Sequence, residues 1–349
     1  MESSQYDILI IGGGILGLST AMQLLERAPQ WRVAVVEKED QLATHQTGHN
    51  SGVMHSGIYY RPGSHKAKFC VAGLNNMVKF CEENEIEFQQ CGKVIVATHE
   101  SELGRLQDLH DRGTANGVPD LEVVGPERLK EIEPHTVGVK ALWAPHTGIV
   151  DFTKVATAFA EKFQQAGGDI FTGATVRNII KTTGSVALET TKGSLQAKHL
   201  INCAGLHADK IASMTDEKVG VRIIPFRGEY YTLRPESHHL VSGLIYPVPN
   251  PEFPFLGVHF TRNIKGHVEA GPNAVMALQR EGYRKRDFNL GDSLGNLGYP
   301  GFWKMAAKYW KIGMGEIWRS YNKRVFLRDL QTLIPVSYTH LTLPTTPYV

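Results

Sequence analysis

The opening forty residues constrain the fold more than any other part of the chain. Residues 6–11 (YDILII) form a β-branched run that stops at Gly12-Gly13-Gly14. Residues 15–28 then carry Leu18, Met22 and Leu25 at helical spacing, and residues 33–37 (VAVVE) return to strand character. Strand, glycine turn, helix and second apolar strand make a βαβ unit whose strands are buried on both faces. The glycines fall as Gly12-x-Gly14-x-x-Gly17. In that pattern the first permits a tight turn, the second lets a pyrophosphate approach the backbone, and the third lets helix and strand pack closely. The helix N-terminus offers free N–H groups and partial positive charge to the phosphates. Glu37 ends the second strand about 20 residues after Gly17, where a carboxylate accepts from ribose hydroxyls and repels a 2′-phosphate. The unit predicts a bound dinucleotide with an unphosphorylated adenosine ribose, held by Gly12, Gly14, Gly17 and Glu37, with Lys38 beside them. A membrane span over residues 8–25 is rejected, because three glycines interrupt the apolar run.

Composition narrows the class. A chain of 349 residues predicts two domains, and a formal net charge of +2 gives no reason to expect a nucleic-acid partner. The four cysteines (Cys70, Cys81, Cys91, Cys203) form no C-x-x-C pair, which speaks against a zinc site or disulfide scaffold and fits a reducing compartment. Fifteen histidines fall in no H-E-x-x-H pattern, so no metal site is expected. With the first strand beginning at Tyr6, no secretory or arginine-rich leader is expected ahead of it.

Further along, residues 43–63 read as a long functional loop rich in Gly, Ser, Thr, His and Asn. Helices are expected at 66–84, 101–116, 126–132 and 153–166. Strands are expected at 93–98, 169–172, 175–181, 185–190 and 194–197, with a separate buried strand at 199–205. Residues 220–275 alternate strand-like runs with Pro and Gly turns (VRIIPFRGEYYTL, GLIYPVP, FLGVHFT, GHVEAGPN), which predicts an antiparallel sheet. Residues 301–333 return to helical sequence. Trp303, Trp310 and Trp318 are expected to face the core there, with Lys304, Lys308, Lys311, Arg319, Lys323 and Arg324 solvated; a helix lying on a membrane surface is the alternative. The predicted class is α/β: a Rossmann-like FAD-binding domain (1–90 and 145–215) with a mainly antiparallel-sheet substrate domain (91–144 and 216–300). A helical segment (301–335) and an aberrant tail (336–349) follow.

The glycine motif alone does not separate FAD from NAD. The stretch INCAGLHAD (201–209), a strand running into Ala204-Gly205 with Asp209 in the next helix, resembles one in flavoproteins of the D-amino-acid-oxidase and glycerol-3-phosphate-dehydrogenase type; a plain strand–helix junction is the alternative. Longer strings are more specific. THQTGHNSGVMHSGIYYRPGSHKAKFC (44–70), CGKVIVA (91–97), PHTGIVD (145–151), IPFRGEYY (224–231), YPVPNPEFPFLGVHFT (246–261), GPNAV (271–275) and REGYR (280–284) resemble the L-2-hydroxyglutarate dehydrogenase family. The likeness runs from about Tyr6 to Pro335.

The resemblance implies an FAD enzyme that oxidises a 2-hydroxy diacid, L-2-hydroxyglutarate, to 2-oxoglutarate and passes electrons to a quinone or another acceptor. It implies peripheral membrane contact to reach that acceptor and, from animal relatives, a mitochondrial location. His49, Asn50 and Ser51 of the loop and Ala204 and Gly205 are expected against FAD. Such a reaction needs a base for the hydroxyl proton and cations for two carboxylates. His259, on a strand that places Gly257, His259 and Thr261 on one polar face, is the first candidate base, and His55 the second. Arg227 and Arg262 are expected to bind the carboxylates, with Arg61 and Lys66 as weaker candidates and Tyr60 and Tyr231 as pocket walls. Relatives continue past the Pro335 position into a segment that contacts the flavin, so residues 336–349 are expected to be an aberrant end that leaves the pocket open. Rival readings are the same scaffold acting on another hydroxy acid, an amino acid or glycerol 3-phosphate, an FAD-binding protein without catalysis, and an NAD-only dehydrogenase.

Overall fold

A computed structural model of the chain describes residues 5–215, 219–250 and 256–336. It opens with β1 (Gln5–Ile11), α1 (Ile15–Arg27) and β2 (Val33–Val36), followed by β3 (Val53–Met54), α2 (His65–Glu83), β4 (Phe88–Gln89) and β5 (Lys93–Ala97). Then come α3 (Leu103–Ala115), β6 (Glu122–Val124), α4 (Pro126–Ile132), β7 (Lys140–Ala144), β8 (Gly148–Val150) and α5 (Phe152–Gln165). The next stretch holds β9 (Asp169–Phe171), β10 (Val176–Thr182), β11 (Ser185–Thr190), β12 (Gly193–Asn202) and α6 (Ala208–Ser213). The last holds β13 (Phe226–Thr232), β14 (Leu244–Pro247), β15 (His259–Arg262), β16 (Val268–Met276), α7 (Leu290–Leu297), α8 (Pro300–Tyr321) and α9 (Lys323–Gln331).

The first sheet has the order β10-β11-β12-β1-β2-β9. Its strands β12, β1, β2 and β9 are parallel, and β10, β11 and β12 form an antiparallel meander at the edge. β1 lies in the middle, covered on both faces, and so needs an apolar residue at nearly every position. On one face Ile8, Ile10, Val33 and Val35 pack with Leu18 and Leu25 of α1 and with Phe159 and Phe163 of α5. The second sheet has the order β13-β16-β15-β14-β5-β7-β6 and is antiparallel except where β14 runs parallel to β5. A three-stranded sheet, β3-β8-β4, carries part of the loop after β2.

Three expectations are corrected. Residues 194–197 and 199–205 are not two strands: β12 is continuous, its first half antiparallel to β11 and its second parallel to β1, with Ala197 bonded to both neighbours. Its later residues are also half-exposed rather than buried. The run VRIIPFRGEYYTL becomes a strand only at Phe226. In α8, Trp303, Trp310 and Trp318 are 57, 59 and 62% exposed and do not enter the core. The helix carries two stripes at helical spacing. Phe302, Ala306, Tyr309, Ile312, Glu316 and Ser320 face the protein; Trp303 and Trp310 fall one position off that stripe and Trp318 two. The expected aberrant tail, from residue 337 on, lies outside the described residues, as do residues 251–255 of the string 246–261.

Candidate active site

The glycine turn lies at the C-terminal end of β1, where the chain bends into α1. Gly12 has φ of +113°, and a Cβ there would stand 2.3 Å from the Cys203 carbonyl oxygen, so no other residue fits. A Cβ on Gly17 would stand 1.9 Å from the Gly12 carbonyl oxygen, which makes Gly17 the residue that lets α1 lie against the turn. Glu37 is buried and tied to the same turn: one carboxylate oxygen accepts from Gly13 N–H at 2.6 Å and the other from Glu39 N–H at 2.9 Å. Each oxygen keeps a lone pair for a ribose hydroxyl.

A cavity of about 660 Å³ runs along this cradle, from Glu37 and Lys38 past Gly12 and Gly14 to Asn50, Ser51 and His55. Ala204 and Gly205 close it from the end of β12. Two predicted cofactor residues lie outside its lining. Gly17 acts in helix packing, and His49 stacks on Tyr283 at 4.1 Å with Nδ1 3.1 Å from the His45 carbonyl oxygen. Sequence reasoning missed Thr47, which also lines the cavity and whose Oγ1 accepts from the Ile15 N–H at the first turn of α1. It also missed the polar group at the cavity's outer end. There Lys38 bridges Glu39 and Glu281, His45 lies against the same carboxylates, and His207 bonds Glu281 at 2.8 Å. Burial alone would raise the Glu281 carboxyl, but hydrogen bonds from His207 and Lys38 outweigh it and hold its pKa at about 2. Asp209 forms a buried ion pair with Arg280, which fixes α6 to the segment after β16.

A second group of side chains gathers beyond His55. Leu244 of β14 is in register with both Lys93 of β5 and Thr261 of β15, so Lys93, Tyr246, His259 and Thr261 share one face of the second sheet. That face meets the loop carrying His55 and Tyr59. His259 is 4% exposed and stacks on Tyr246 with ring centroids 3.8 Å apart. Its Nδ1 lies 2.9 Å from the Gly257 carbonyl oxygen, which can only accept; the proton therefore sits on Nδ1 and Nε2 keeps a lone pair. Burial, with the Lys93 charge adding to it, lowers the His259 pKa to about 4 even though the Gly257 bond favours the proton. Burial with Lys93 and His259 lowers His55 to about 3. Lys93 is 1% exposed, and burial brings its amine down to about 7. Its Nζ lies 4.6 Å from the Tyr59 ring centroid and 5.3 Å from that of Tyr246. The signal for Lys93 was present in the sequence: it is the one charged residue in KVIVA, a strand buried at all five positions.

The predicted carboxylate ligands do not join this group. Arg227 is buried, bonded to Glu229 at 2.8 Å and to the Arg284 carbonyl oxygen at 2.9 Å. Arg227, Glu229 and Tyr231 point to the other face of the sheet: Tyr231 packs edge-on to Phe326 of α9, and Ser320 of α8 donates to Glu229 at 2.6 Å. Arg262 also alternates away from His259; it lies beside Glu133 and Cys91, and its charge favours their ionised forms. Arg61 and Lys66 are exposed on the surface, and Tyr60 lies near Cys70.

A glycine-turn cradle that leads along one cavity to His55, with the buried His259 beyond it, defines a dinucleotide-dependent oxidoreductase. Residues 7–310 match the model of the FAD dependent oxidoreductase family. The chain is 50% identical over 331 residues to the L-2-hydroxyglutarate dehydrogenase of Indibacter alkaliphilus, covering 95% of this chain and 83% of that one. It is 46% identical over 331 residues to the enzyme of that name from Escherichia coli K12, covering 95% and 78% of the two chains. It is 43% identical over 346 residues to the mitochondrial one of Homo sapiens, covering 96% and 75%. Among solved structures, the L-α-glycerophosphate oxidase of Mycoplasma pneumoniae with FAD bound superposes with a TM-score of 0.78 at 22% identity, covering 97% of this chain and 82% of that one. That likeness speaks for the fold. The chain belongs to the L-2-hydroxyglutarate dehydrogenase family of FAD-dependent oxidoreductases, and its cofactor is FAD.

Proposed function

We propose that the chain oxidises L-2-hydroxyglutarate to 2-oxoglutarate, with His259 as the base and His55 at the flavin side of the substrate. The observation that carries this reading is 43–50% identity, across about 95% of the chain, to relatives of that name from bacteria and animals. When bound, FAD supplies the acceptor for the hydride that leaves C2. The protein's task is to take the hydroxyl proton as that hydride departs. His259 suits it because its Nε2 is unprotonated and its burial keeps the ring neutral in the free protein. Tyr246, stacked on the imidazole, holds the ring orientation and keeps water from that side. Gly12, Gly14, Glu37, Lys38, Asn50, Ser51, Ala204 and Gly205 would hold the dinucleotide.

For the second half-reaction we infer a quinone-type acceptor met at a bilayer surface. The support is the exposed stripe of α8, where Trp303, Trp310 and Trp318 lie among Lys304, Lys308 and Lys311. No helix among the described residues is long and apolar enough to cross a membrane. The animal relatives carry a mitochondrial name and bacterial relatives share the activity name without it, so the family spans both settings.

The test is an anaerobic visible spectrum of the holoprotein. Flavin bands should bleach with L-2-hydroxyglutarate and persist with its D isomer, an L-amino acid or glycerol 3-phosphate. Bleaching by glycerol 3-phosphate instead would overturn the substrate assignment and leave the family intact.

A further inference from the structure

The two arginines expected to hold the substrate's carboxylates lie on the other face of the sheet, yet a dicarboxylate entering a buried site needs cationic partners. We infer that Lys93, together with the Tyr59 hydroxyl, binds the carboxylate of the substrate remote from the reacting carbon and so sets the preference for a diacid. This deepens the proposed function and rests on it.

Four observations carry the inference. Lys93 is 1% exposed, and among the described residues its Nζ meets the ring faces of Tyr59 and Tyr246 and no carboxylate. A buried ammonium without an anion is costly, and the cost is removed when an anion arrives. Second, the Tyr59 hydroxyl is buried without a hydrogen-bond partner, and Lys93 Nζ lies over that same ring at 4.6 Å. A carboxylate has two oxygens: one would accept from the ammonium and the other from the phenol.

Third, Lys93 shares a sheet face with His259, and β14 lies between their strands. Two strand spacings, about 10 Å, separate the two backbones. If His259 takes the proton at C2, a cation reaching in from β5 suits the far end of a five-carbon chain. Fourth, the Lys93 charge is felt at both His55 and His259. Pairing it with a substrate carboxylate would quench that repulsion and make His259 a stronger base once the correct substrate has bound.

The experiment compares Lys93→Met and Tyr59→Phe with the unaltered holoprotein on two substrates: L-2-hydroxyglutarate and L-2-hydroxybutyrate, which lacks the remote carboxylate. The unaltered protein should prefer the diacid strongly. Lys93→Met should raise KM for the diacid by about 100-fold or more and leave the monoacid nearly unchanged, so that the preference collapses. Tyr59→Phe should move KM the same way by about 10-fold. Flavin content and spectrum should be retained in both, and the melting temperature of Lys93→Met should be unchanged or higher, because an unpaired buried charge has been removed.

Equal losses on both substrates would overturn the assignment, since Lys93 would then act at the reacting end. So would an unchanged KM for the diacid. If Lys93→Met failed to fold, Lys93→Gln would carry the same comparison. Failure of the unaltered protein to bleach with L-2-hydroxyglutarate would instead count against the proposed function, and the two failures are thus distinguishable.

Discussion

His259 and Lys93 are opposed in their protonation requirements. His259 must be neutral to accept a proton, and burial sets its pKa at about 4, so its contribution to kcat/KM should be full above that pH and fall below it. Lys93 must be charged to hold a carboxylate, and its pKa of about 7 means that diacid binding should weaken as pH rises through 7. The groups facing Lys93 are His55 and Tyr59 from the loop, Cys70 from α2, Tyr246 from β14 and His259 from β15. A bell-shaped kcat/KM profile with limbs near 4 and 7 is expected. Lys93→Met should lose the alkaline limb and keep the acid one. His259→Asn should lower kcat by about 10²–10⁴-fold with a much smaller change in KM. Stopped-flow flavin reduction across pH checks all three. An acid limb at 6.5, the reference value, would show that the base is not a histidine held neutral by burial.

At the scale of elements, the buried pair Arg227–Glu229 ties β13 to α8, because Glu229 also takes the Ser320 hydroxyl and lies 3.4 Å from Lys285 Nζ. Removing one member of such a pair leaves an uncompensated buried charge and costs about 3–5 kcal/mol. Arg227→Met and Glu229→Gln should therefore both lower the unfolding free energy by amounts of that order, with KM for the diacid little changed in whatever folds. A carboxylate-binding Arg227 would give the opposite pattern, a raised KM that Glu229→Gln does not share. The sequence could not separate these cases: an arginine two residues from a glutamate on one strand face is a self-satisfied pair only if nothing else reaches it, and that depends on α8 some ninety residues later. The same ambiguity governs α8 itself. Two stripes at helical spacing were visible, and the number of tryptophans does not say which stripe the sheet covers. Vesicle co-sedimentation tests the exposed stripe: binding to anionic vesicles should weaken on charge reversal at Lys304, Lys308 and Lys311, and further with Trp310→Ser.

The β1–α1–β2 unit was legible in full, because its strands are covered on both faces and its glycines are required by contacts made within forty residues or with the one strand that returns beside β1. The substrate-side group was legible only in part. Alternation along its strand brings His259 forward as a candidate and the loop brings His55; Lys93 does not come forward that way, although a lysine inside an all-buried strand is a strong anomaly. Its partners lie on three other elements, so its meaning depends on how the second sheet meets the loop.

That buried, charge-averse site leaves its mark on the stability of the whole molecule. A histidine with a folded pKa of about 4 and an unfolded pKa of 6.5 stabilises the fold fully above 6.5, where both states are neutral. As pH falls from 6.5 towards 4 the unfolded chain takes a proton that the folded one refuses, and stability declines. At about 1.4 kcal/mol per pKa unit the loss from His259 is on the order of 3 kcal/mol, and His55 acts in the same direction. The carboxylates held low by hydrogen bonds, Glu281 and Asp209, add their losses only below about 4.5. Lys93 contributes nothing in this window, since both of its states are charged below 7. Urea unfolding of the holoprotein should therefore show stability falling between pH 6.5 and 4.5. His259→Asn, which cannot take the proton, should flatten that slope. An unaltered slope in the variant would mean that His259 titrates alike in the folded and unfolded chains, and the account of a base kept neutral by burial would fail with it.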